Sequence, residues 1–171
     1  SLTINKLTFN SGASSFTFGG NNLTLGTGGI DASALTGRVE TFAFTNVIGS
    51  GVQRWNVGAG AALAFGKLAA GAGTADTYGP NGAIIRMSNA GTITTTSVDG
   101  WGWRGGAVAG TGLLGPGMVI DNGDNTYDWA SAGNSGGTIV AATYTTVPGG
   151  TSDAHNGKVT SNSSYSRGNA S

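Results

Sequence analysis

The 171 residues include 33 glycines, only 9% are charged, and eight basic side chains balance eight acidic ones for a net charge of zero. A nucleic-acid-binding surface needs a basic excess, and a disordered chain combines high net charge with little apolar material; this chain has neither signature, and its 38% of hydrophobic residues suffice for a core. The lack of cysteine excludes disulfides, thiolate metal sites and cysteine nucleophiles together.

Glycine or runs of Thr, Ser and Asn interrupt almost every window that a helix would need, so strands are expected throughout. The first quarter carries three apolar, polar, apolar triplets, Leu7-Thr8-Phe9, Phe16-Thr17-Phe18 and Leu23-Thr24-Leu25. Strand alternation puts their outer residues on one face and the threonine on the other. The clusters between them, Asn10-Ser11-Gly12 and Gly19-Gly20-Asn21-Asn22, are turn chemistry. Further strands are expected at Val39 to Phe44, Trp55 to Val57, Leu63 to Phe65, Ile84 to Met87, Ile93 to Val98, Met118 to Ile120, Tyr127 to Ala130, Ile139 to Tyr144 and Lys158 to Ser161. Trp55 and Trp129 fall inside such runs and are expected in the core.

The triplets recur too closely for a propeller blade or a helical repeat, and their spacing fits successive faces of a coil. The expected fold is all-β, a β-solenoid in which each strand pairs with those one turn above and below. Coils are expected over 1–99 and again over 118–160, with a Gly/Trp-rich loop or excursion over 100–117 and a polar tail over 161–171. No apolar run reaches the roughly 20 residues that span a bilayer, and no signal peptide opens the chain. Because it begins with Ser1, a processed protein or a piece of a longer one is expected.

The runs Leu2-Thr3-Ile4-Asn5-Lys6-Leu7-Thr8-Phe9, Phe16-Thr17-Phe18-Gly19-Gly20-Asn21-Asn22-Leu23-Thr24-Leu25-Gly26 and Gly28-Gly29-Ile30 resemble the bacterial autotransporter-associated β-strand repeat proteins. Gln53-Arg54-Trp55-Asn56-Val57, with Gly60, Leu63 and Phe65, is similar to the coil that follows in that family. Asp128-Trp129-Ala130-Ser131 and Gly137 to Tyr144 also look like its segments. The resemblance implies a right-handed parallel β-helix, extracellular or at a bacterial cell surface, without enzyme activity. The family's export signal, membrane-embedded β-barrel and C-terminal sorting segment have no counterpart in these 171 residues.

Candidate chemistry is sparse. His155 is the only histidine and sits in turn-like surroundings, Ser152, Asp153, Asn156 and Gly157, so neither a two-imidazole metal site nor a serine triad is expected. The cluster from Asp121 to Asp128 resembles a cation loop in composition but lacks its spacing and its bidentate glutamate, and reads as a turn between strands. Trp101, Trp103 and Arg104 form the one aromatic and cationic group suited to stacking on a sugar or packing on a partner; a loop folded back over the coil is the plainer reading. Thr8, Thr17, Thr24 and Thr94-Thr95-Thr96 are expected to face outward, as strand threonines on a solvated face. A polysaccharide-cleaving β-helix would need carboxylates gathered at one cleft, and the eight acids are scattered in sequence.

The expected function is structural. Solenoid ends present unpaired N–H and C=O groups, no helix or charged segment suited to capping them is evident, and zero net charge does little to oppose association. The expectation is a non-enzymatic subunit without cofactor or metal, with copies of itself as partners in a filament, surface layer or adhesive stalk. A surface glycan-binding module is the alternative, and nucleic acid and membrane-spanning roles are not expected.

Overall fold

The computed structural model describes residues 2–49, 51–70, 75–76, 79–80, 84–88, 90–99, 106–107, 112–114, 118–122, 126–132 and 137–142. Among these the chain is all-β, with no helix. The strands are β1 (Leu2–Thr8), β2 (Thr17–Phe18), β3 (Leu23–Ala32), β4 (Val39–Ile48), β5 (Val52–Val57), β6 (Ala62–Ala70), β7 (Ala75–Asp76), β8 (Gly79–Pro80), β9 (Ile84–Ser88), β10 (Thr92–Thr95), β11 (Ser97–Asp99), β12 (Gly106–Ala107), β13 (Gly112–Leu113), β14 (Met118–Asp121), β15 (Tyr127–Ala132) and β16 (Thr138–Ala141). Fourteen of them join in one mixed sheet, while β7 and β8 pair only with each other. Both β12 and β13 fall inside the span 100–117, where an excursion is expected, and both pair into the sheet.

In the large sheet the pairing among the strands up to β14 is parallel, with β12 against β11 the exception. One run goes from β1 to β3, β5, β9 and β14, and another from β2 to β4, β6 and β10. The long strands β3 and β4 each serve three neighbours, β3 meeting β1, β4 and β5, and β4 meeting β2, β3 and β6. Leu23 to Leu25 pair with Asn46 to Ile48, whereas Ile30 to Ala32 pair with Trp55 to Val57.

Parallel, in-register pairing stacks the inward side chains in rows. Leu7, Ile30, Trp55, Met87 and Ile120 form one row; Ile30, Trp55, Met87 and Ile120 are almost fully buried. A second row is Leu23, Asn46, Leu68 and Val98, and a third runs Leu63, Ile93 and Ile139. Phe18, Phe42 and Phe65 are stacked with centroids 5.1 and 4.8 Å apart, and Trp55 leans on Phe65 at 5.0 Å. Those separations match the ~4.8 Å between paired strands, so register alone puts ring over ring. Each fully buried apolar side chain of this kind contributes about 1.5–3 kcal/mol by leaving water.

After Asp121 the pairing turns antiparallel. β15 runs against β14, and β16 runs against both β15 and β10. The connections explain it, since residues 122–126 and 133–137 are long enough for hairpin loops and too short for a crossover to a parallel neighbour. Within the span 118–160, β14 continues the parallel run beside β9, and the described strands after it, β15 and β16, run antiparallel. β12 runs against β11 in the same way.

Two side-chain expectations change. Trp129 is only half-buried, because Ala130 takes the inward position of β15. Thr95 is buried, between half-buried Thr94 and exposed Thr96, and its hydroxyl donates to Ser97 O at 2.9 Å. The expected strand at Lys158 to Ser161 and the tail over 161–171 lie outside the described residues, as does Tyr144.

Candidate functional site

Trp101, Trp103, Arg104 and His155 also lie outside the described residues. The acidic cluster is described at its ends. Asn122 Nδ2 donates to Thr126 Oγ1 and to Asp128 Oδ2, each at 3.1 Å, while Asp121 Oδ2 faces away to accept from Arg54 Nη1 at 2.6 Å. Asp121 and Asp128 thus serve different partners, and among the described residues no three His, Asp or Glu side chains come together as a metal-binding group.

Two surfaces stand out, and the first is a sheet edge. β1 pairs only with β3 and β2 only with β4 among the described strands, so their outer backbone groups face away from the sheet. Leu2 stands in register with buried Leu23 yet is 63% exposed, and Phe16, beside the phenylalanine stack, is 49% exposed. Its ring lies 6.1 Å from that of Phe18. At the opposite side, β10, β11 and β14 are each covered by an antiparallel strand. Among the described strands the two sides of the parallel stack therefore differ: β1 and β2 keep open edges, whereas β10, β11 and β14 are covered by antiparallel strands.

The second surface is an open groove of about 350 Å3 across β1, β3 and β5. Alternation builds its walls. Lys6 precedes inward Leu7, Asp31 lies between buried Ile30 and Ala32, and Arg54 and Asn56 flank buried Trp55, so all four point outward. Glycine builds its floor. A Cβ on Gly28 would lie 2.7 Å from Asn5 O, and one on Gly29, at φ +63°, only 2.2 Å from Arg54 O. Neither position admits a side chain, and Gly29 stands in register with Lys6 on the strand between Lys6 and Arg54. The result is a gap with a cation on each side.

Both cations are tethered. Lys6 Nζ meets Asp31 Oδ2 at 3.0 Å, and Arg54 meets Asp121 through Nη1, with side chains 48% and 56% exposed. Asp31 Oδ1 accepts from the Ser33 hydroxyl at 2.7 Å and from its N–H at 3.4 Å. The Ser33 hydroxyl, followed by Lys6, holds the Asp31 carboxyl below its ordinary value of 3.8. None of these four side chains is near another in sequence except Arg54 and Asn56, so spacing could not reveal the groove. Gly28-Gly29 marks close backbone approach only once the structure places the pair inside β3.

Beneath the groove, Trp55 Nε1 donates to Gln53 Oε1 at 3.0 Å and Gln53 Nε2 donates to Leu25 O at 2.9 Å. Buried Glu40 accepts from Phe16 N at 3.1 Å, and the Asn46 amide donates to Phe44 O at 3.4 Å. Comparison with family models, curated proteins and solved structures gives no match for the chain.

Proposed function

We propose that the protein is a non-enzymatic structural subunit of the extracellular space or bacterial cell surface, a β-solenoid of the right-handed parallel β-helix kind that assembles through the end of its coil stack. The observation that carries the reading is the asymmetry of the parallel stack: among the described strands β1 and β2 keep an unpaired edge, while antiparallel strands cover β10, β11 and β14. An open edge is a template for strand addition, and the usual devices that blunt one are charge, proline or a cover. Lys6 is the only charged residue of β1, neither β1 nor β2 contains proline, and exposed Leu2 and Phe16 add apolar area.

The sequence resemblance to autotransporter-associated repeats supports the same reading and supplies the surface location. Addition of the same edge closes a pair, whereas a filament or stalk grows where the next copy's far side pairs at this edge through its covering strand β12, which has a single partner among the described strands. Light scattering and electron microscopy across concentration test it. Particles larger than 16.8 kDa are expected, and the double variant Leu2→Lys/Phe16→Lys is expected to remain a folded monomer, because lysine on an edge opposes pairing. A wild-type chain that stays monomeric at high concentration, or a double variant that assembles as before, overturns the proposal.

A further inference from the structure

We infer that the glycine-floored groove across β1, β3 and β5 is a binding site for a carboxylated sugar within an acidic polysaccharide. Shape comes first. The groove's ~350 Å3 lies at the lower end of the ~300–1,000 Å3 typical of small-molecule sites. Lys6 and Arg54 stand on strands two spacings apart, about 10 Å, with Gly29 leaving the row between them bare. The gap is maintained by backbone contact, since any side chain at Gly28 or Gly29 collides with a neighbouring strand.

The polar groups decide the ligand. Arg54 spends only Nη1 on Asp121, so the rest of its donor fork can address a carboxylate, and the exposed Lys6 ammonium stands on the opposite wall. Asp31 and Asn56 add acceptors between and beside these cations. A phosphodiester backbone offers that carboxylate little but further acceptors and negative charge. A uronic acid offers both halves of the match, one carboxylate for the cations and hydroxyl donors for Asp31 and Asn56. Val52, 43% exposed, gives the C–H face of a ring an apolar contact on the groove wall.

The row also continues beyond the groove. Thr8 pairs with Asp31, Asp31 with Asn56, and Ser88 with Asp121, the last two on β9 and β14. Hydroxyl, carboxylate and amide groups therefore follow one another across the strands, as suits a polymer lying over the face better than a single free sugar. The site does not depend on the open edge, so it holds whether or not copies associate.

Titration with oligogalacturonate, followed by calorimetry and by backbone amide shifts, tests the inference, with a neutral galactose oligomer of equal length beside it. The acidic oligomer is expected to bind, with shifts gathered on β1, β3 and β5, and the neutral one to bind about tenfold more weakly. Arg54→Gln and, separately, Lys6→Gln are expected to weaken the acidic oligomer about tenfold while leaving the folded spectrum intact. Asn56→Ala, which touches no ion pair, is expected to weaken both oligomers and keeps the test open should either charge variant fail to fold. No binding of the acidic oligomer, equal binding by the charge variants, or shifts confined to other strands each overturns the inference.

Discussion

Among the described residues Trp55 is the largest fully buried side chain, and its indole N–H donates to Gln53 Oε1. A buried donor left without an acceptor costs about 1–3 kcal/mol, so Gln53→Leu is expected to destabilise the fold by that amount even though leucine is apolar and of similar size. The Leu25 carbonyl still accepts from Gly49 N at 2.8 Å, which confines the loss to the indole. The shift of the urea midpoint at unchanged slope measures it. Asp31 gives a pH dependence of definite sign. Its folded pKa is depressed by the Ser33 hydroxyl and then Lys6, so the stabilisation is complete above the ordinary value of 3.8 and disappears as pH falls from there through the lowered folded value. In Asp31→Asn that acid loss is expected to flatten, which thermal unfolding across the acid range records. An unchanged acid limb in the variant would remove Asp31 as its source.

Among the elements, β4 ties the rows together. Phe42 is stacked between Phe18 and Phe65 and touches Phe9 and Phe44 edge-on at 6.4 and 6.1 Å, while the next residue back, Thr41, faces outward in register with Thr17 and Ala64. Phe42→Ala is expected to cost about 3–5 kcal/mol through transfer and cavity terms together. Thr41→Ser, on the outward side of the same strand, is expected to stay within about 0.5 kcal/mol. Denaturant unfolding of the two variants checks that alternation, not position along the chain, sets the cost. The Phe-Thr-Phe and Leu-Thr-Leu triplets already contained this alternation. The reach of β3 from Leu23 through Gly28-Gly29 to Ala32 was not legible, because two glycines in a run read as a turn and become strand only where neighbouring backbones on both sides press against them.

At the scale of the whole molecule, a parallel stack grows by adding strands at its sides, and here the sides are unequal. The antiparallel meander from β14 to β16 occupies the positions where the next parallel strands would pair. Shortening it tests the idea that it is a terminator. Ile139→Pro removes a backbone donor from β16 in the pairing with β10 and places proline between two neighbours, so β16 is expected to detach and expose a second edge. Light scattering is then expected to report assembly that persists in the Leu2→Lys/Phe16→Lys background, since the new edge lies on the other side. Monomers in that triple variant would count against the meander as a stop.

The all-β class followed from the residues alone, because glycine at nearly one position in five and the short Thr, Ser and Asn clusters leave no helical stretch, while alternation named the inward residues of β5 but not of β10 and β15, where Thr95 and Ala130 turn inward. The pairing partners were another matter. Asp121 meets Arg54, Lys6 meets Asp31, and Ile93 meets both Leu63 and Ile139, contacts between distant segments that no local periodicity encodes. Register and the length of each connection decided them: short loops after Asp121 and Ala132 reversed the chain, and the bare backbone at Gly28 and Gly29 let three strands close up and leave a groove above them.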